Sequence, residues 1–206
     1  MAVRKERQDA IENRKLILET AHVLFQKHGV DNVSMQEIAQ TAGVGKGTLY
    51  RRYKDKGDLC SDLVQKRFLH FKEQLSAYLD DMENGSPIAQ LQKVLREYVN
   101  MVEELSKWLK VIQAYDCLKG RSATYFHSEP YVFMYKTIHS LLKEIERQGL
   151  IELTDLSYTT DVFLAAISPD FYLYQRQEKG YSQDDILERF YSLLLEPFIK
   201  LDQNKK

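Results

Sequence analysis

The sequence predicts an all-α protein of about nine helices, a small N-terminal three-helix domain followed by a larger helical one. Three observations lead there. Apolar residues recur at the three-to-four spacing of a helix face along nearly the whole chain. No alternating apolar–polar run reaches a useful strand length. Capping residues and glycines fall in the gaps between the apolar stripes, where helices start and stop.

Taken in order, Ile17, Ala21, Leu24, Phe25 and His28 mark one face of the first helix, which Gly29 ends. Ser34-Met35-Gln36-Glu37 has the form of a capping box, with Val33 and Ile38 as its hydrophobic staple, so a short helix runs from Met35 to just before Gly43. Another follows Gly45, from Lys46 to about Tyr53. Asp55 caps a long fourth helix whose stripe, from Leu59 through Leu63, Phe68, Phe71, Leu75 and Tyr78, reaches Met82. Ser86-Pro87 opens the next, with a buried face from Ile88 to Val102. Trp108, Val111, Ile112, Tyr115 and Leu118 follow, ended by Gly120. Ser128-Glu129-Pro130 starts a helix that closes at Gly149. Thr154 caps one reaching about Lys179, interrupted at Ser168-Pro169, and Ser182 starts the last, to about Leu201.

Composition narrows the class. The chain has 206 residues, 44% hydrophobic and 29% charged, enough for an ordinary core. Its two cysteines, Cys60 and Cys117, form no CxxC pair, which argues for a reducing, cytoplasmic setting. Neither a signal peptide nor an apolar run of membrane-spanning length is expected. The net charge of −1 hides an asymmetry: residues 1–56 hold eleven basic and seven acidic side chains, net +4, and the remainder nets −5. A basic head on an acidic body suits a nucleic-acid-binding module with a separate second domain, here 1–56 and 57–206.

The short helices at 35–53 carry the functional information. Joined by the tight Ala42-Gly43-Val44 turn, they form a helix-turn-helix, in which Ala39 permits a close crossing while Ile38 and Leu49 face the core. Lys46, Thr48, Tyr50, Arg51 and Tyr53 are left around the outside of the second helix, available to a major groove. Lys46 and Arg51 can donate to guanine. The hydroxyls of Thr48, Tyr50 and Tyr53 suit phosphate oxygens, as does Ser34, and Arg4, Lys5 and Arg7 form a disordered basic arm able to cross the minor groove.

The stretch from Ser34 to Leu59, SMQEIAQTAGVGKGTLYRRYKDKGDL, strongly resembles the N-terminal signature of the TetR family of transcriptional regulators; the likeness covers about residues 11–60. Gly45 departs from the pattern, standing where the family often has a capping serine. The resemblance implies a homodimer that docks its second short helix in operator DNA, with Lys56 at a phosphate. It also implies an effector cavity among the middle helices and a four-helix interface from the last two helices. Ala166, Phe190, Leu193, Leu194 and Phe198 are candidates for that interface.

Other chemistry finds little footing. Gly43–Thr48 lacks the spacing and preceding strand of a phosphate-binding loop. His22, His28, His70, His127 and His139 include no i, i+4 pair, and no nucleophile elbow or HExxH occurs, so neither catalysis, metal nor cofactor is expected. The 13 tyrosines, 9 phenylalanines and single tryptophan cluster in the body. Such clusters ordinarily pack a core or a subunit interface. Trp108, Tyr115, Phe126, Tyr131, Tyr135 and Phe163 are the candidates for lining a pocket, which would take a flat or elongated, largely apolar small molecule. The expected function is a ligand-responsive repressor. Two alternatives stay open: an activator responding to a protein partner, and a small-molecule carrier or enzyme.

Overall fold

The computed structural model describes the backbone of residues 2–81, 85–118 and 125–199, and the side chains of residues 9–81, 85–115 and 126–199. Met82, Gly120 and Leu201 lie outside these ranges. Among the described residues the fold is all-α, with nine α-helices and no strand. They are α1 (Ala2–His28), α2 (Met35–Thr41), α3 (Lys46–Arg52), α4 (Lys56–Asp81), α5 (Pro87–Leu118), α6 (Glu129–Arg147), α7 (Leu156–Ala166), α8 (Pro169–Gln177) and α9 (Gln183–Phe190). No described helix is long and apolar enough to cross a membrane.

Several expected boundaries move, each for a local reason. The N-terminal arm is not disordered: α1 begins at Ala2, through a stretch free of glycine and proline and rich in Ala, Arg, Lys, Glu and Gln. The side chains of Arg4 and Lys5 lie outside the described set. Asp155, not Thr154, caps α7, its carboxylate accepting the Tyr158 amide at 2.9 Å. The last helix does not reach residue 201 as a regular α-helix. After Phe190 it widens into a π turn over Tyr191–Leu195 and tightens into a 3₁₀ turn over Glu196–Phe198. Pro197 has no N–H to continue the ladder and its ring clashes with the preceding turn.

Packing divides the chain into two units. The first comprises Met1–Arg67 with Lys107–Ala123, and the second Phe68–Ser106 with Thr124–Lys206. The long helices α4 and α5 therefore each contribute to both. In the first unit Ile17, Ala21, Ile38, Leu49 and Leu59 are essentially inaccessible, and Trp108, Val111 and Ile112 of α5 pack against that same core. Burial of those three side chains is what draws the end of α5 into the first unit. In the second unit Leu91, Leu95, Met134, Ile138, Leu142, Phe163 and Tyr172 form the buried centre. At its edge Glu103 accepts from Arg176 at 2.8 and 3.0 Å and from the Tyr172 hydroxyl at 2.6 Å. The Arg176 hydrogen bonds hold the Glu103 carboxyl below its ordinary range against the opposing effect of burial.

Candidate nucleic-acid interface

Local chemistry builds the helix-turn-helix. The Ser34 hydroxyl accepts the Glu37 amide at 3.1 Å and closes the start of α2. Gly43 ends it at φ +66°, where a Cβ would be strained. That conformation lets Val44 N–H reach back to the Ala39 carbonyl at 3.0 Å and Gly43 N–H to Gln40 at 3.2 Å. Ala39 and Ala42 are buried at the crossing, and Leu49 anchors α3 to the core.

With 100° between successive residues, the point of α3 opposite Leu49 falls between Gly47 and Arg51. Lys46 and Tyr50 take one flank of that exposed face, Thr48 and Arg52 the other. Lys46, Tyr50 and Arg51 are exposed and Thr48 is half-buried. No described carboxylate pairs with Lys46 or Arg51.

Two expected contacts are placed differently. Tyr53 is not on the outer surface: it is 3% exposed, and its hydroxyl donates to Asp62 at 2.5 Å. Burial, then that hydrogen bond, pushes its pKa up to about 12, so its one proton stays on the phenol and points at the carboxylate rather than serving a phosphate. Lys56 is half-buried, and its ammonium donates to the carbonyls of Val30 at 2.7 Å and Asp31 at 3.4 Å, fastening the turn after α1 to the start of α4. One of its three hydrogens remains for a phosphate. Ser34 is exposed with its own O–H still available.

Sequence reading missed Asp62 and Arg14. Arg14 holds the Asp62 carboxylate through both Nε, at 2.9 Å, and Nη2. Burial alone would raise the Asp62 pKa, but the hydrogen bonds from Arg14 and Tyr53 outweigh it and hold the group ionised, below its ordinary value. Helix α1, the C-terminal cap of α3 and helix α4 thus meet on one carboxylate. Nothing in the spacing set Asp62 apart from the neighbouring acids Asp55 and Asp58. Asp55 and Asp58 also cap α4 reciprocally, Asp58 N–H donating to Asp55 at 3.0 Å and Lys54 N–H to Asp58 at 3.1 Å.

The expected effector residues are divided between the two units. Trp108 and Tyr115 belong to the first unit. The former meets His22 edge-on at 5.5 Å, and the latter packs directly over Gly57 in the first turn of α4. Phe163 is core, 1% exposed and edge-on to Phe190 at 4.9 Å. Phe126, Tyr131 and Tyr135 do come together, as a ladder of rings continued by His139, with centroids 5.3, 6.3 and 5.6 Å apart. The Tyr131 hydroxyl donates to Asp161 at 2.6 Å. Of the interface candidates, Phe190 is consumed internally, Ala166 and Leu194 are half-buried, and Leu193 and Phe198 are exposed.

Comparison with known proteins agrees with this geometry. Residues 17–63 match the pattern of the bacterial regulatory proteins of the tetR family. The HTH-type transcriptional regulator SAB2452 of Staphylococcus aureus (strain bovine RF122 / ET3-1) is 31% identical over 85% of this chain and 89% of its own. In fold, a TetR-family transcriptional regulator (ECA1819) from Pectobacterium atrosepticum superposes with a TM-score of 0.70 at 20% identity, covering 95% of this chain and 98% of that one. The TetR-family transcriptional repressor FadR of Thermus thermophilus, in complex with lauroyl-CoA, gives 0.65 at 19% identity, covering 94% and 98%. A helix-turn-helix built on buried Ile38 and Leu49, a matching family pattern and a relative aligned over 85% of this chain converge: the chain belongs to the TetR family of transcriptional regulators and is not an enzyme.

Proposed function

We propose that this regulator is a ligand-responsive repressor acting in the cytoplasm as a homodimer, bound to a palindromic operator and released by a small, largely apolar effector. The observation that carries the DNA-binding half is the outer face of α3: Lys46, Tyr50 and Arg51 stand exposed around a helix whose Leu49 is fully buried. Such a face offers a guanine donor, Arg51, near its centre and a second, Lys46, on the flank it shares with the Tyr50 hydroxyl, with Thr48 and Ser34 at phosphates. Lys56 adds a phosphate contact through its remaining hydrogen. Effector contact is assigned to Phe126, Tyr131 and Tyr135, whose rings, edge-on between the first two and stacked between the last two, suit a flat or elongated apolar molecule. The solved FadR relative holds lauroyl-CoA, which carries a long apolar chain. Exposed Leu193 and Phe198 supply apolar surface for a second copy.

Genome-wide capture of bound DNA followed by footprinting tests the reading. Footprints overlapping promoters, with two half-sites related by two-fold symmetry, are expected. Footprints confined upstream of promoters would make the protein an activator. On the operator so found, Lys46→Ala should cost about 1–3 kcal/mol and relax preference at one position. Lys56→Ala should weaken all sequences alike, lower the salt slope by about one, and also cost stability through the carbonyls it releases.

A further inference from the structure

Helices α4 and α5 leave a half-open groove of about 230 Å³ between them, lined by Phe71, Gln74, Leu75 and Tyr78 of one and Lys93 and Glu97 of the other. All six residues belong to the second unit. The groove is separate from the ring ladder of α6. Phe68 and Lys72 are the α4 side chains that meet α6, at Phe133 with 5.8 Å between ring centroids and at Glu129 with 2.9 Å. At about 100° per residue, Gln74 and Tyr78 stand roughly 80–160° around the helix from those two. Phe71 and Leu75, 4% and 3% exposed, make an apolar floor. Polar groups surround it. Lys93 donates to Glu97 Oε1 at 2.6 Å and Asn100 donates to Oε2 at 3.4 Å, so both carboxylate oxygens are engaged. Lys93 keeps two of its hydrogens, and the Gln74 amide and Tyr78 hydroxyl are engaged by no other described residue. Beside an apolar floor the unspent groups are thus one charged donor and two neutral ones.

We propose that this groove is a second small-molecule site, one for a monocarboxylate of about the size of benzoate. Its carboxylate meets Lys93, Gln74 and Tyr78, and its apolar body lies over Phe71 and Leu75. The site is additional to the effector contact at Phe126, Tyr131 and Tyr135 and does not depend on it. Volume sets the size. An apolar cavity of about 150 Å³ holds benzene, so on that scale the groove takes on the order of ten heavy atoms. Chemistry sets the class. A carboxylate only accepts, at about four lone-pair positions, and its hydrogen bonds to an ammonium are charge-assisted, which suits donors converging from three side chains. Glu97 competes weakly, because an exposed i,i+4 pair has little worth in water. A bound acid can therefore share Lys93 with it, and in doing so bridges α4 to α5.

The probe is p-fluorobenzoate, titrated into the full-length protein and followed by its fluorine line width and by the methyl spectrum of isotope-labelled leucines. A half-open site for so few atoms gives a Kd on the order of 1 mM, within reach of both readouts. The Leu75 methyl signals should shift. Lys93→Gln should weaken binding by at least about fivefold, and Glu97→Gln should tighten it by about two- to fivefold, because the like charge beside the bound carboxylate is gone. Thermal melts identify a variant that is merely unfolded, and the gain in Glu97→Gln cannot be mimicked by misfolding. Lys110→Gln makes the same charge change at another exposed position of α5 and should leave the affinity as it was. p-Fluorobenzyl alcohol and p-fluorobenzylamine keep the ring and should bind at least about fivefold more weakly than the acid. Equal binding of all three would mean that the ring alone is held and would overturn the acid assignment. Lys93 and Glu97 variants that bind like the wild type, or shifts confined to Leu141 and Leu142 of α6, would place the acid elsewhere and overturn the groove. Absence of saturable binding up to about 10 mM would overturn it as well. None of these outcomes touches the readings of α3 or of the ring ladder, which are tested on operator DNA.

Discussion

The Asp62 carboxylate accepts from Arg14 twice and from Tyr53 once, and so ties three helices of the DNA-binding unit. Asp62→Asn keeps the shape and removes the charge. Hydrogen bonds to a charged group are worth about 1.5–3 kcal/mol, and a loss of that order is expected in denaturant unfolding. The pH dependence has a definite sign. The folded pKa of Asp62 lies below its unfolded value, so its contribution is complete above about 4 and is lost as pH falls through the lower folded value. The stability gap between wild type and Asp62→Asn should therefore close in acid; a gap independent of pH would show that the charge is immaterial. Gly57 is a second single-residue test. Alanine suits a helix better than glycine by up to about 1 kcal/mol, but a Cβ at 57 would sit 2.7 Å from the Tyr115 Cβ. Overpacking costs about 1–3 kcal/mol and should win. Gly57→Ala is expected to destabilise the wild type, and most of that cost should be absent from a Tyr115→Gly background, which lacks the Cβ it meets, as a double-mutant cycle would read.

Among the elements, the end of the chain departs most from its expected form. A continuous helix to 201 would have placed Phe190, Leu193, Leu194 and Phe198 along neighbouring positions of one stripe. The π turn at Tyr191–Leu195 and the Pro197 break instead bury Phe190 against Phe163 and leave Leu193 70% exposed. Leu193→Glu is thus the cleaner probe of the proposed dimer: sedimentation should show monomers at micromolar concentration with little change in melting temperature. Leu194→Glu, at a half-buried site, should lower both assembly and stability. An unchanged dimer in Leu193→Glu would move the interface elsewhere. Helix α1 departs in the opposite direction, being longer than its apolar stripe. Residues 9–16 are exposed or half-buried, so propensity rather than packing makes them helical, and hydrogen exchange should be fast there and slow from Ile17 onward.

For the whole molecule, the division of α5 between the two units matters for regulation. Trp108, Val111 and Ile112 of α5 pack with the DNA-binding core, and Tyr115 rests on the first turn of the helix that begins with Lys56. An effector can shift DNA affinity only by preferring one arrangement over another, and a coupling of about 1–3 kcal/mol gives 5–150-fold. Linkage is reciprocal. Operator DNA should weaken effector binding by the same factor that effector weakens operator binding, and unequal factors in equilibrium titrations would rule out a simple two-site linkage. Much of the rest was legible in the residues. The apolar spacing, the caps at Ser34, Asp55, Ser128 and Ser182, and the Gly43 turn set the helices and the DNA-reading motif, because helix periodicity and capping act within a few residues. Only the folded chain could decide that Tyr53 turns inward to Asp62, that Lys56 spends its ammonium on Val30 and Asp31, that Phe163 is core, and that α5 joins the first unit. Each is a contact between different helices or turns, decided by which apolar and charged groups leave water together, and the spacing within one helix holds no record of that competition.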